Sequence, residues 1–156
     1  MTIFMTSRHT GRHWDSLQKA KGIIEKLSLD IKGYDERKFE DRISGALQPN
    51  FNHFIDQRNL KQVMTRVPIF DHDHRPDMSI GTDGIAIEVK SIKSGASFRE
   101  AIGQSMIYRI GYRFVIVVWV DSTRHKTYKQ LCDDPESIES QFIKEMEDYN
   151  IFCVVK

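Results

Sequence analysis

The segment from residue 78 to residue 90 constrains the fold more than any other part of this chain. Residues 85–90 (Ile-Ala-Ile-Glu-Val-Lys) alternate between an apolar face and a mostly charged face, which is the two-residue period of a β-strand. Residues 78–80 form a second short run, and the Gly-Thr-Asp-Gly cluster at 81–84 between the two runs is typical of a turn. The pattern therefore predicts an antiparallel β-hairpin.

The register of this hairpin decides where its charged residues lie. If Ile80 pairs with Ile85, Asp77 lies directly opposite Glu88, with Cβ atoms roughly 5 Å apart. Two carboxylates at that separation are destabilising unless a positive charge lies between them, and a divalent cation is the natural candidate. Lys90 adds a third charged group on the same face. The alternative is a solvated strand face that happens to carry two acids and a lysine.

The charged residues of the hairpin also match a known signature. Pro76-Asp77, then ten residues, then Glu88-Val89-Lys90 resemble the motif of the PD-(D/E)xK nuclease superfamily. The turn between two strands, followed by a helix and a second apolar strand, is similar in order to the αβββαβ core of that family over roughly residues 35 to 121. Gln104 and Tyr108 resemble the Gln-x-x-x-Tyr element of its RecB-like branch, whereas the helix before the strands has no evident histidine.

The resemblance implies a restriction-endonuclease-like α/β fold, in which helices flank a central mixed β-sheet. It also implies an enzyme, a Mg²⁺-dependent deoxyribonuclease that hydrolyses phosphodiester bonds in DNA. In such a site Asp77, Glu88 and the backbone carbonyl of Val89 hold Mg²⁺, for which Mn²⁺ can substitute. Lys90 then acts on the attacking water or on the transition state. Hard cations prefer oxygen ligands, which agrees with this set.

Two helical residues could complete that site. Many members of the family add a helix carboxylate as a metal ligand and catalytic group, and Glu40 borders the apolar stripe of the helix predicted to begin after Asp35. Glu36, one turn earlier, is the competing choice. In the resembling family the glutamine at the position of Gln104 turns toward the acids. For each residue, an exposed or half-buried place on an amphipathic helix is the alternative.

Contacts to nucleic acid are less sharply defined by the sequence. Lys93 and Arg99 are close to the site along the chain and could bind phosphates, and Tyr108 is a further candidate contact. The net charge is only +1, but residues 127–156 hold three Lys/Arg against seven Asp/Glu, which leaves the remainder mildly basic. That distribution suits DNA and equally suits many other partners.

A second cluster, Asp71-His72-Asp73-His74, comes just before the motif. Two imidazoles on one strand face suit a transition metal, so a His/Asp hydrolase that uses residues 71–77 is an alternative function. A polar loop between two strands is the simpler interpretation. A non-catalytic nucleic-acid-binding or assembly protein on the same fold is the other alternative, against which the presence of the complete acid and lysine set argues.

Length and composition fit a single domain over residues 1–156, with residues 1–13 as a loose basic arm. Cys132 and Cys153 lack C-x-x-C spacing, which favours a reduced, cytoplasmic protein, and no apolar run is long enough for a membrane span. No phosphate-binding loop or nucleophile motif supports an ATP-driven or covalent mechanism. A last strand at 151–155 would offer a sheet edge, so a homodimer is one expectation.

The remaining elements follow from hydrophobic periodicity and end signals. Before the hairpin they are a helix from Asp15 or Ser16 to about Leu29, a helix capped by Asp35 and stopped by Pro49, a short helix or ordered loop at 51–62, and a first strand at Val63–Phe70 with Pro68 at an edge or bulge. After the hairpin, a helix begins with a capping box at Ser97 and ends at a left-handed Gly111. A strand at 113–121, buried on both faces and parallel to its neighbour, and a helix at 135–149 follow.

Overall fold

A computed structural model describes residues 9–29, 31–58 and 64–156 of the chain. In these ranges helices alternate with short and long strands. In chain order the elements are α1 (Arg12–Lys26), α2 (Glu36–Leu47), β1 (Phe54–Asp56), β2 (Val67–Ile69), β3 (His72–His74), β4 (Met78–Ile80), β5 (Ile85–Ile92), α3 (Gly95–Tyr108), β6 (Phe114–Asp121), α4 (Thr127–Asp133), α5 (Ile138–Met146) and β7 (Ile151–Val155), with 3₁₀ turns at Gln48–Asn50 and Glu147–Tyr149.

Five of these strands form one mixed sheet in the order β1-β4-β5-β6-β7. The first three strands of that order pair antiparallel, and the last three pair parallel. α3 connects β5 to β6, because two parallel neighbours require a crossover of this kind. The prediction of an α/β protein with a central mixed sheet flanked by helices is confirmed at this level.

The predicted register of the β4–β5 hairpin is also confirmed. Its pairs are Ile80 with Ile85, Ser79 with Ala86, and Met78 with Ile87. The turn needs glycine at both ends: Gly81 has a left-handed φ of +76°, and a Cβ on Gly84 would lie 2.5 Å from the carbonyl oxygen of Ile80. The register brings residues 77 and 88 to the open end of the hairpin.

Two hydrophobic cores lie on opposite faces of the sheet. One contains the apolar side chains of β5 at positions 85, 87 and 89, which pack against α1 and α2. The other contains Ala86 and Ile92, which pack against α3. Strand alternation therefore places Glu88 and Lys90 on the α3 side. β6 is buried along its whole length, as predicted for a strand covered on both faces.

α2 begins where the sequence predicts because Asp35 caps it. The Asp35 carboxylate accepts a hydrogen bond from the backbone N–H of Lys38 at 3.0 Å. The apolar stripe of the helix is buried in the core on that face; its members are Phe39, Ile43 and Leu47. This packing brings the first two turns of α2, which carry Glu36 and Glu40, to the end of β5.

The first strand of the sheet is not where the sequence predicts it. β1 lies within residues 51–62, for which a short helix or ordered loop is predicted; residues 59–62 lie outside the described residues. The predicted strand at Val63–Phe70 is reduced to β2, which pairs with β3 in a separate two-stranded sheet, and Val63 lies outside the described residues. Pro68 cannot donate to a ladder, and it lies on an edge as predicted.

The ends of two helices also differ from their predictions. α1 begins at Arg12, so the predicted arm is shorter than residues 1–13, and its residues 1–8 lie outside the described residues. α3 begins at Gly95, before the predicted capping box. Gly111 has no left-handed φ; its lack of a side chain matters because a Cβ would lie 3.1 Å from the Cγ2 of Val67.

The C-terminal region holds one more helix than the sequence predicts. The segment 135–149 contains α5 and the following 3₁₀ turn, but α4 precedes it and is absent from the prediction. The short last strand, β7, is where it is predicted. Within the described ranges, each helix is too short or too polar to cross a lipid bilayer.

We expect Asp35→Ala to lower the free energy of unfolding by about 1 kcal/mol, because the N–H of Lys38 loses its acceptor. Urea unfolding followed by circular dichroism measures this change. Asp35→Asn keeps the acceptor and is the matched control, so its stability should stay close to wild type. Equal losses in both variants would contradict a capping role.

Candidate active site

The open end of the hairpin is the point where β4 leaves β5. β4 pairs only with residues 85–87, whereas β5 continues to Ile92 beside β6. Beyond residue 87, two carboxylates accept the backbone N–H groups that a paired strand would otherwise bind. The N–H of Val89 donates to Asp77 Oδ2 at 2.8 Å, and the N–H of Ser91 donates to Glu36 Oε2 at 2.8 Å. Acids from two separate elements are thereby held along one edge of β5.

Asp77 is fixed by hydrogen bonds on both of its oxygens. Its Oδ1 accepts from the side-chain amide of Gln57 at 2.9 Å, while its Oδ2 accepts from Val89. Burial raises the pKa of Asp77 to about 6; the bond from Val89 opposes this rise, and the charge of Glu36 adds to it.

Glu88 lies across from Asp77 and is 4% exposed. Burial, and after it the charge of Asp77, raises the pKa of Glu88 to about 8. The hydroxyl of Tyr108 lies 3.0 Å from Glu88 Oε2 and also 3.0 Å from the carbonyl oxygen of Arg75. Burial, then the charge of Glu88, raises the pKa of Tyr108, so the phenol stays protonated.

Lys90 supplies the positive charge of the site. Its Nζ lies 3.9 Å from Glu36 Oε1 and 3.7 Å from Glu100 Oε1, and its side chain is 17% exposed. Burial lowers the pKa of Lys90, but the surrounding carboxylates outweigh burial and raise the pKa overall. The amine is therefore an ammonium group at neutral pH.

Glu36 and Glu40 both face this region. The structure therefore does not single out one of them as the helix carboxylate of the site. Glu36 contacts Ser91 and Lys90 directly. Burial, and after it the charge of Asp77, raises the pKa of Glu40 to about 7. Within residues 9–29, 31–58 and 64–156, no hydrogen bond or ion pair engages the Glu40 carboxylate.

Gln104 lies one turn before Tyr108 on α3, as the resemblance requires. Its Oε1 is buried and has no hydrogen-bond partner among the described residues. A buried amide oxygen without a partner is costly, and such atoms call for a specific explanation. A bound ion, water or substrate group would provide one.

β1 contributes residues that the sequence analysis missed. Asp56 accepts hydrogen bonds from the guanidinium of Arg58 at 2.9 and 2.6 Å and from the hydroxyl of Ser44 at 3.0 Å. Burial would raise the pKa of Asp56, but these bonds outweigh burial and lower it. The charge of Asp56 in turn raises the pKa of Asp77 and Glu40. Only a correct assignment of β1 could have drawn attention to Asp56.

The three predicted nucleic-acid contacts occupy different environments. Lys93 and Arg99 are exposed near the end of β5 and on α3, where a phosphate could reach them. Tyr108 is 2% exposed and its hydroxyl faces Glu88. A direct contact between Tyr108 and DNA is at odds with this burial, and we assign Tyr108 to positioning Glu88 instead.

His72 and His74 lie side by side on β3, with ring centroids 5.4 Å apart. The Nε2 of His74 is buried and has no partner among the described residues. A zinc site takes four protein ligands when it is structural and three when it is catalytic. In the part of the chain that the structure describes, however, no group of three or more His, Cys, Asp or Glu side chains is spaced to hold an ion.

Comparisons with known proteins add no identification. No protein-family model, no curated protein and no solved structure matches the chain significantly. Function is therefore inferred from the site itself.

We expect Glu88→Gln to stabilise the metal-free protein relative to wild type as pH rises from about 5 to about 8. Glu88 has a folded-state pKa of about 8, above the ordinary 4.5, so the folded state holds the proton longer. The contribution of Glu88 to stability therefore falls through this window, and glutamine removes that fall. Thermal unfolding in EDTA, with Glu136→Gln as an exposed control, measures the difference; parallel curves for wild type and Glu88→Gln would contradict the burial argument.

Proposed function

We propose that this protein is a metal-dependent nuclease that hydrolyses phosphodiester bonds in DNA by a PD-(D/E)xK mechanism. The observation that carries the proposal is the pairing of Asp77 with Glu88 beside the ammonium group of Lys90. Each acid has a raised pKa, and the charge of Asp77 contributes to the rise at Glu88. Perturbed, mutually repelling acids of this kind cluster at functional sites, where a cation relieves the repulsion.

The order of elements supports a restriction-endonuclease-like fold for this site. α2, β1, β4, β5, α3 and β6 follow the αβββαβ order once the β2–β3 hairpin is treated as an insertion. β5, which carries Glu88 and Lys90, lies between an antiparallel and a parallel neighbour. The helix after β5 carries Gln104 and Tyr108 in the positions that the resemblance requires.

The ligand set suits Mg²⁺ or Mn²⁺. Asp77 and Glu88 would hold the ion, with the carbonyl of Val89, which points to the same side of β5 as the N–H bonded to Asp77. Mg²⁺ commonly binds one or two carboxylates and completes its shell with water and substrate phosphate, so no group of three acidic side chains is required. The ion would lower the pKa of a water and neutralise charge on the phosphoryl oxygens.

The other side chains would divide the remaining tasks. Lys90, as an ammonium group, would stabilise negative charge that develops on the phosphoryl oxygens. Glu40, whose oxygens have no partner in the described residues, would accept a proton from water or support an ion through water. Tyr108 would orient Glu88, and the amide oxygen of Gln104, which has no partner among the described residues, would accept a hydrogen bond from a water or from the substrate.

One observation favours a second candidate, a non-catalytic nucleic-acid-binding or assembly protein. Both oxygens of Asp77 accept hydrogen bonds from the chain, and one oxygen of Glu36 accepts the N–H of Ser91. These acids therefore already satisfy backbone N–H groups along the edge of β5. A purely structural role would then explain their positions. The His/Asp hydrolase has weaker support, because His72 and His74 form only a pair.

Two further expectations remain predictions. β7 forms one edge of the five-stranded sheet, where a second copy could pair to make a homodimer. Cys132 and Cys153 are free thiols, which accords with a reducing, cytoplasmic location.

We expect Lys90→Ala to reduce metal-dependent cleavage of DNA by about 100- to 1000-fold, because a charge aimed at the transition state is lost. Cleavage of labelled plasmid and linear DNA with Mg²⁺, Mn²⁺ or EDTA measures the rate. Lys144→Ala, which removes an exposed lysine from α5, is the matched control and should stay within a few-fold of wild type. Absence of metal-dependent cleavage by the wild type would favour the second candidate, and a loss confined to His72→Ala would favour the His/Asp hydrolase.

We expect Mn²⁺ to bind more tightly as pH rises from about 6 to about 8, because its ligands must be deprotonated. Asp77, with a pKa of about 6, and Glu88, with a pKa of about 8, should release protons on binding. Calorimetric titration in buffers of different ionisation enthalpy measures both effects. Asp77→Asn should weaken binding, whereas Glu136→Gln, which removes an exposed acid between α4 and α5, should change it little; equal affinity of wild type and Asp77→Asn would overturn the ligand assignment.

A further inference from the structure

The tip of the β2–β3 hairpin has features that the acid cluster, formed by Glu36, Glu40, Asp77 and Glu88, does not explain. Phe70 is 85% exposed there, more than any other large apolar side chain in the described part of the chain. A single exposed apolar residue is common on protein surfaces. This one is unusual because of the backbone that carries it.

Phe70 and Asp71 have φ values of +53° and +57°. Two consecutive left-handed residues form the tight turn that best suits β-hairpins, and Asn-Gly is the sequence that adopts it most readily. A bulky side chain in this conformation is an outlier. The hairpin thus holds a phenyl ring in solvent despite an unfavourable backbone, and such strain concentrates at ligand contacts.

The base of the hairpin is joined to the acid cluster. β3 ends at His74, and the carbonyl of the next residue, Arg75, shares the hydroxyl of Tyr108 with Glu88, at 3.0 Å from each. Phe70 is five residues from Arg75, and a strand rises about 3.3 Å per residue, so the tip lies at most about 17 Å from that carbonyl. A strand of duplex DNA rises about 3.4 Å per nucleotide, so a reach of about 17 Å corresponds to about five nucleotides.

On the basis of the proposed nuclease function, we propose that Phe70 is a specificity residue that stacks on an unpaired base. The substrate class is DNA with a single-stranded segment or a fork within about five nucleotides of the cleaved bond. Aromatic side chains stack on bases of any sequence, and apolar wedges also enter between base pairs.

The charges around the tip favour a base over other contacts. Asp71 is next to the ring, and Asp73 on β3 is paired with Arg66 at 2.9 Å. Arg66 offsets the charge of Asp73, which leaves Asp71 as the acid beside Phe70 in the chain; a carboxylate there disfavours phosphates and anionic lipid headgroups, whereas the face of an unpaired base is uncharged. The ring therefore suits a base that projects from the backbone.

The first test compares Mg²⁺-dependent cleavage of three labelled DNAs of one sequence: a blunt duplex, a single strand and a forked duplex. We expect wild type to cut the fork within about five nucleotides of the junction, and Phe70→Ala to cut it about tenfold more slowly. Phe70→Trp should retain activity and Phe70→Leu should not, because stacking requires an aromatic ring. Phe142→Ala, which removes a 41% exposed phenyl ring from α5, is the matched control.

A second test does not depend on cleavage. A 2-aminopurine placed among the unpaired bases of the fork should lose fluorescence on binding Lys90→Ala protein, and should not lose it with the Lys90→Ala, Phe70→Ala double variant. If no DNA is cleaved by wild type, the nuclease proposal fails, and this arm still decides the stacking proposal. The stacking proposal is overturned if Phe70→Ala changes neither the fluorescence nor the cleavage pattern. It is also overturned if Phe70→Ala loses self-association while DNA binding is unchanged, because the tip would then be a protein contact.

Discussion

The arrangement of the acid cluster depends on the separation of β4 from β5 beyond Ile87. Past that point the N–H groups of Val89 and Ser91 have no strand beside them, and an unpaired buried N–H costs more than a typical hydrogen bond contributes. Asp77 and Glu36 accept these N–H groups instead. Because β5 lacks a paired strand here, carboxylates from the hairpin and from α2 bind its N–H groups and lie close together beside β5.

Satisfying the backbone in this way creates an electrostatic conflict. Burial raises the pKa of Glu40 to about 7 and that of Glu88 to about 8, and the charge of Asp77 adds to both rises. Lys90 and Arg58 offset part of the repulsion: one contacts Glu36, and the other holds Asp56. A protein that needed only to complete a strand edge could do so with neutral side chains. The excess of negative charge is therefore the feature on which the proposal of a cation-dependent function rests.

The sequence predicts the parts of this site that depend on local pattern. Glycines at 81 and 84 and the alternation of β5 fix the register, and with it the meeting of Asp77 and Glu88. Helical periodicity cannot decide whether Glu36 or Glu40 is the helix carboxylate of the site, because residues one turn apart share a face. β1 has only three residues, too few to show a period, so Asp56 is missed. β2 has strand character, but local pattern carries no information on which sheet a strand joins, so the sequence does not show that β2 and β3 pair apart from the main sheet.

Tyr108 joins the charge of the acid cluster to the hairpin. Its hydroxyl has one proton but two acceptors at 3.0 Å, Glu88 Oε2 and the carbonyl of Arg75. When Glu88 is ionised, the carboxylate is the stronger acceptor and competes for that proton. When Glu88 is protonated, it can donate to the tyrosine oxygen, and the hydroxyl is then free to donate to Arg75. A single buried phenol therefore contacts both Glu88 and the backbone of the residue that follows β3.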